Sequence, residues 1–221
     1  MRLKRHSAFV FMVILFSILK ITVYGFSTTG SIGKVVVKSN PVRVIRDGKS
    51  TEVGQFGMRL MNGDEVKTGK SGKAQIVLSD GNAIFFAPST EAIISENYVQ
   101  RALEKSKQIH IIFLGKILSR IRKSQKSNLR FKTANAVINI RGTEFVAEYE
   151  NNMTTVATYK GLVNLSSAKT GLNIDIPPGK MSSISYAGEV LPLSEIAGDI
   201  LEGVEFAGEK MSEKDIAGKK I

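Results

Sequence analysis

The sequence predicts an all-β fold, a jelly-roll-like sandwich or short β-solenoid, closed by a short C-terminal helical tail. Two observations carry the prediction. Short runs of alternating apolar and polar residues recur from Gly33 onward, and turn residues separate them at intervals of roughly 8 to 12 residues. The tail differs: from Pro192 the apolar residues Leu193, Ile196, Ile200, Leu201 and Val204 fall at helical spacing, with Ser194 as a cap.

Val35 and Val37, then Val42 and Val44, alternate with polar neighbours, and Ser39-Asn40-Pro41 between them reads as a hairpin turn. Asp47-Gly48-Lys49 gives a second turn. Leu60 to Asp64, containing Gly63-Asp64, gives a third, followed by Val66 and Thr68 and a turn at Gly69 to Gly72. Ala74, Ile76 and Leu78 share one face, and Asp80-Gly81 is a strong two-residue hairpin signal leading into Ile84 and Phe86. Ile109 to Leu114 is apolar on both faces, which predicts a central strand buried on two sides with His110 in the core or at its rim.

Lys116 to Lys126 admits two readings. Ile117, Leu118 and Ile121 would share one face of a basic amphipathic helix, or Gly115 to Ile121 is a strand that runs into a polar loop before Leu129 and Phe131. The strand is favoured, because both flanks are β and nothing caps a helix.

The stretch Thr133 to Tyr149 organises the rest. Ile138 and Ile140 share one side of an extended segment, and after Gly142 the apolar series moves to Phe145, Ala147 and Tyr149. The parity flips at the glycine. One extra residue in the ladder, a β-bulge or tight bend, returns both halves to a common core. Arg141-Gly142-Thr143 is therefore a corner, with Arg141 and Glu144 read as solvated or mutually paired charges. Val156 with Thr158, Leu162 to Leu165, Leu172 to Ile176, and Ile184 with Tyr186 supply four further short strands. Asn151-Asn152, Lys160-Gly161, Thr170-Gly171 and Pro177-Pro178-Gly179 separate them.

Residues 1–25 read as a signal peptide. Arg2, Lys4 and Arg5 precede the apolar run Ala8 to Leu19, and Val23-Tyr24-Gly25 ends on a small residue. The run is shorter than the ~20 residues that span a bilayer, so an anchor through residues 8–23 is the alternative. The native protein is expected to begin at Phe26, in the periplasm or on the cell surface. An intact mass retaining Met1 to Gly25 would instead mark an anchored chain. Loss of Arg2, Lys4, Arg5 and Lys20 lowers the formal net charge from +11 to +7. The absence of cysteine excludes disulfides, thiolate metal sites and a lipid anchor on cysteine. What remains is one domain, residues 33–187, with a tail at 188–221.

The residues argue against catalysis. His110 is the one histidine after residue 25; of the acid pairs Asp64/Glu65 and Glu144/Glu148, the second falls on one side of a strand and reads as solvated strand-face acids. No catalytic, cofactor or metal residues are assigned. Nucleic acid is not an expected partner, since the basic stretch Lys116, Arg120, Arg122, Lys123, Lys126, Arg130 and Lys132 carries only Phe131 among its charges. Those cations fit an envelope protein, a polysaccharide or anionic lipid better, or form a plain solvated face.

Six motifs in order complete the reading: Gly63-Asp64-Glu65-Val66-Lys67-Thr68-Gly69, Ala74 to Gly81 with Asp80-Gly81, Pro88-Ser89-Thr90, Arg141-Gly142-Thr143-Glu144-Phe145, Lys160-Gly161-Leu162-Val163, and Pro178-Gly179-Lys180. In this the chain resembles the FecR domain over roughly residues 33–187. The resemblance implies an all-β periplasmic module without catalytic activity. In the founding members that module belongs to a single-span regulator, which relays the ligand-loaded state of an outer-membrane transporter to a cytoplasmic sigma factor. Two features depart from that pattern: only seven residues precede Ala8, and Leu191 to Ile221 is short for a further domain. The expectation is an exported, non-catalytic binding or scaffold module. The alternative is a truncated component of transmembrane signalling.

Overall fold

A computed structural model describes residues 30–54, 57–101, 104–121 and 129–201. The expected signal peptide lies outside the described residues. The strands in chain order are β1 (Gly33–Ser39), β2 (Val42–Arg46), β3 (Lys49–Glu52), β4 (Met58–Leu60), β5 (Glu65–Thr68), β6 (Lys73–Leu78), β7 (Ala83–Phe86), β8 (Glu91–Arg101), β9 (Glu104–Arg120), β10 (Leu129–Lys132), β11 (Ala136–Glu150), β12 (Met153–Ser167), β13 (Asn173–Ile176), β14 (Lys180–Ile184) and β15 (Ser194–Glu195). All fifteen connect through hydrogen bonds into one sheet. The all-β class holds, as a small five-strand barrel with peripheral strands in place of a two-sheet jelly roll or a stack of solenoid coils.

Long strands make one sheet wrap one core. Strands average about 5–6 residues, whereas β9 has 17 and β11 and β12 have 15 each. Each half of β9 serves different neighbours: Ile109 to Leu114 pairs with β8 and in part with β10, while Ile117 to Arg120 pairs with β7 and β11. This settles Gly115 to Arg120 as strand. Extended, β11 would run roughly 50 Å at about 3.3 Å per residue. Yet Asn135, just before it, donates through Nδ2 to the carbonyl of Asn152, just after it, at 3.1 Å. The β11–β12 ribbon therefore folds back on itself.

Gly142 makes the fold-back, as the parity flip predicts. Its φ is +59°, and the β11–β12 register shifts between Arg141 and Glu144. Ile138, Phe145 and Ala147 are all fully buried in one cluster that Ile140 flanks, so both halves face a common core. Phe145 meets Phe131 of β10 edge to face, with ring centroids 5.1 Å apart. Ser119 and Thr158, the cross-strand partners of Phe145, are buried with no hydroxyl partner among the described residues. Replacing a buried unpaired hydroxyl by a methyl of the same shape removes a desolvation cost, so Thr158→Val should raise stability by about 1 kcal/mol. A urea midpoint equal to or below that of the wild type would show that the hydroxyl has a partner.

The structure corrects several expectations. β1 and β2 do not pair with each other; a cis Asn40–Pro41 bond lies at the turn, β1 joins β4 and β6, and β2 joins β3 and β5. Lys160-Gly161 does not separate two strands, because β12 runs through it as a second bend. The central run of β9 is not buried on both sides. Ile109, Ile111 and Phe113 are core, but Ile112 and Leu114 are 43% and 48% exposed. The expected helical tail is absent from the described residues: Ser194–Glu195 pairs with β14 and is followed by a 3-10 turn at Gly198–Leu201. Ile200 is still buried and Ile196 partly so. They pack on the second face of the bent strands against Phe85, Leu118, Val146, Ala157 and Tyr159, which meets their apolar spacing without an α-helix. Val204 lies outside the described residues.

Candidate functional site

The folded ribbon brings two glycine bends side by side. Gly161 has φ +78°, and a Cβ built on it would lie 2.5 Å from the carbonyl oxygen of Gly142 and 2.9 Å from Thr143 Cγ2. Here β12 bends against β11, and a cavity of about 480 Å³ opens beside the corner. Arg120, Ile121, Gly142, Thr143, Glu144, Tyr159, Lys160, Gly161 and Pro178 line it.

Glu144 is the electrostatic centre of this cavity. Arg120 Nη2 donates to its Oε1 at 3.0 Å and Lys160 Nζ to its Oε2 at 3.2 Å, while its side chain is only 7% exposed. The expectation of a solvated Glu144 is corrected; the side chain of the expected partner Arg141 lies outside the described residues. Arg120 stands opposite it on β9, and a buried carboxylate needs such partners. Thr143 and Tyr159 also line the cavity, while their hydroxyl oxygens are turned away from solvent, buried without a partner among the described residues. Burial raises the pKa of the Tyr159 phenol, so it stays protonated and able to donate at neutral pH.

The other motif residues are structural in this geometry. Asp64 is fully buried and accepts from Arg46 Nε at 2.7 Å, Arg46 Nη2 at 2.7 Å and the Met61 amide at 2.8 Å, which ties the Gly63-Asp64 turn to the end of β2. Asp80 holds its hairpin turn, accepting from the Asn82 amide at 3.0 Å, and the Gly81 amide bonds the Leu78 carbonyl at 2.8 Å. Phe145 is core. No cluster of three metal-ligating side chains occurs among the described residues.

The basic stretch divides. Lys116 reaches Glu148 at 3.1 Å and Arg120 reaches Glu144, so both meet acids that β11 supplies from elsewhere in the sequence. Arg122, Lys123 and Lys126 lie outside the described residues. Arg130 and Lys132 sit on β10, opposite His110 and Ile112 of β9. There they edge an exposed sheet face that the sequence reading did not find: Ile112 faces Ile93 across β8–β9, and Leu114 faces Glu91. Ile93, Ile112 and Leu114 are each more than 40% exposed, side by side on one surface. Their apolar run was visible in the sequence, but a run does not say what covers it.

His110 belongs to this face, with Nε2 2.9 Å from Gln108 Oε1. Its pKa is lowered, first by burial and then by repulsion from Lys132 and Arg130. The unfolded chain therefore takes up this proton at a higher pH than the folded one. Stability falls as pH drops from about 6.5 toward the lowered folded value, and this group has no further effect below it. His110→Gln should lose less stability than the wild type between about pH 7.5 and 5. Equal losses in urea unfolding at the two pH values would show that the imidazole titrates normally.

Fold and surface together define a small β domain with an exposed apolar face and a cavity beside the glycine corner. The family model described as FecR protein matches residues 64–164 of the chain. Two crystal structures of a candidate anti-sigma factor from Parabacteroides distasonis, at 2.50 and 1.65 Å resolution, are similar to the chain with TM-scores of 0.48 and 0.46 and identities of 16% and 15%. Each comparison covers 59% of this chain and 59% of that one, so the chain matches little more than half the length of those proteins. No curated protein matches the chain.

Proposed function

We propose that the chain is a non-catalytic, extracytoplasmic binding module of transmembrane signalling, which receives its signal by contact with an envelope protein. Of the two roles the sequence suggests, the FecR domain favours this one over a free-standing scaffold. The observation that carries it is the exposed face of Ile93, Ile112 and Leu114. It combines an apolar centre with a charged border, the anatomy of a protein contact. Glu65 and Lys67 of β5 and Glu91 of β8 border one side, and Lys67 bridges both acids at 3.0 Å. Arg130 and Lys132 border the other, and no ion pair among the described residues engages them. The partner should therefore offer apolar side chains flanked by acids on the β10 side.

Export by residues 1–25 is part of this proposal. Fractionation tests the charged border. The wild type should remain with the envelope at low salt and be partly released by ~0.5 M salt, whereas the Arg130→Glu/Lys132→Glu variant should be soluble at both. Its thermal transition should hardly move, since exposed charges contribute little to stability. Equal retention of both proteins at each salt concentration would contradict the proposal.

A further inference from the structure

We propose that the exposed face of β8 and β9 closes on a second copy of the chain, as a two-fold dimer that forms where no envelope partner occupies it. The inference rests on the reading of this face as a protein contact. Strand register carries it. Glu65 of β5 pairs with Ile93 of β8, Ile93 with Ile112 of β9, and Ile112 with Lys132 of β10, so one row across four neighbouring strands reads Glu65, Ile93, Ile112, Lys132. All four alternate along their strands with the core residues Val66, Ala92, Ile111 and Phe131, and so they share the outer face. The row is self-complementary, apolar at its centre with opposite charges at equal distances from it.

A two-fold axis along the strands, midway between β8 and β9, lays such a row on its own reverse. Ile93 then meets the second copy's Ile112, and Glu65 meets the second copy's Lys132, each contact occurring twice. Sheets packed face to face keep their strands nearly aligned at about 10 Å, which this axis satisfies. In the adjoining rows Ser95 meets the second copy's His110, and Leu114 meets the second copy's Glu91, whose carboxylate Lys67 already holds at 3.0 Å. Glu65 shares that ammonium, so two carboxylates divide one cation and keep net negative charge for Lys132. An anionic membrane would attract Lys132 but repel Glu65 and Glu91. Three rows on four strands make a patch of roughly 14 by 14 Å, well below the ~800 Å² per partner of stable complexes, so the dimer is weak and exchangeable.

The test is sedimentation velocity of the protein purified from cells, over about 5 to 500 µM, where the wild type should pass from monomer toward twice that mass. Glu65→Lys leaves both ends of the row basic and Lys132→Glu leaves both acidic, so each variant alone should self-associate at least about tenfold more weakly. An equimolar mixture of the two, and the double variant Glu65→Lys/Lys132→Glu, should each recover association, because every contact across the axis again joins opposite charges. A misfolded variant would not recover. Ile112→Ser, which removes the apolar centre, should also abolish association and serves if a charge variant fails to fold. A wild type that stays monomeric throughout, association unchanged by the single reversals and by Ile112→Ser, or no recovery in the mixture would overturn the proposal. A monomeric wild type whose envelope retention still depends on Arg130 and Lys132 would overturn the dimer and leave the proposed function standing. The recovery pattern together with equal retention in the fractionation would support the dimer and contradict that function.

Discussion

Gly161→Ala should destabilise the protein by about 3 kcal/mol or more. An alanine there would hold an L-residue at φ +78° and place its Cβ 2.5 Å from a backbone carbonyl oxygen, a contact that side-chain rotation cannot relieve. Gly142→Val, with a β-branched residue at φ +59°, should cost about 2 kcal/mol or more. The two effects should be less than additive in the double variant, since either one opens the same bend. The bend brings Asn135 to Asn152 and presses both halves of β11 on one core, so its loss reaches the whole domain. A Gly161→Ala protein that melts within a degree or two of the wild type would show that the ribbon does not need this corner.

Arg46→Met should cost about 3 kcal/mol, because it leaves a fully buried Asp64 carboxylate with one charge-free donor, the Met61 amide. Asp64→Ala should cost less. Arg46 has 44% of its side chain exposed and can return to water when its partner is lost, whereas Asp64 cannot. The asymmetry is the diagnostic feature. Equal destabilisation in urea unfolding would mean that packing of the Gly63-Asp64 turn, and not the buried charge, dominates.

The bend at Gly142 was legible in the sequence because a strand's period of two turns an inserted residue into a parity change, from Ile138 and Ile140 to Phe145 and Ala147. The same signal occurs at Gly161, where burial passes from Val156 and Thr158 to Val163 and Leu165. There it was hidden, because Lys160-Gly161 also reads as a turn that ends a strand. Asp80-Gly81 and Asp47-Gly48 are local signals, and both hairpins form. Ser39-Asn40-Pro41 is equally turn-like, but a turn signal does not say which strands pair across it. The cavity was only half legible. Gly142, Thr143 and Glu144 lie in one motif, while Tyr159, Lys160 and Arg120 join them through the register of β12 and β9, which composition does not encode. Likewise, Lys116 and Arg120 look unpaired in sequence because their acids lie more than twenty residues away on β11. The tail shows a different limit: spacing of four between Ile196 and Ile200 suits a helix, yet Ile196 after a short strand and Ile200 in a 3-10 turn pack on the same apolar cluster.

Site-specific photo-crosslinking in intact cells tests the proposed contact face most directly. A photoreactive residue at Ile112, in the centre of the exposed apolar face, is compared with one at Tyr186, which is 73% exposed outside the strands of that face. The account predicts one discrete protein adduct from position 112, none from position 186, and loss of the adduct when Arg130 and Lys132 are reversed to glutamate. Adducts of the same kind from both positions, or none from position 112, would contradict it.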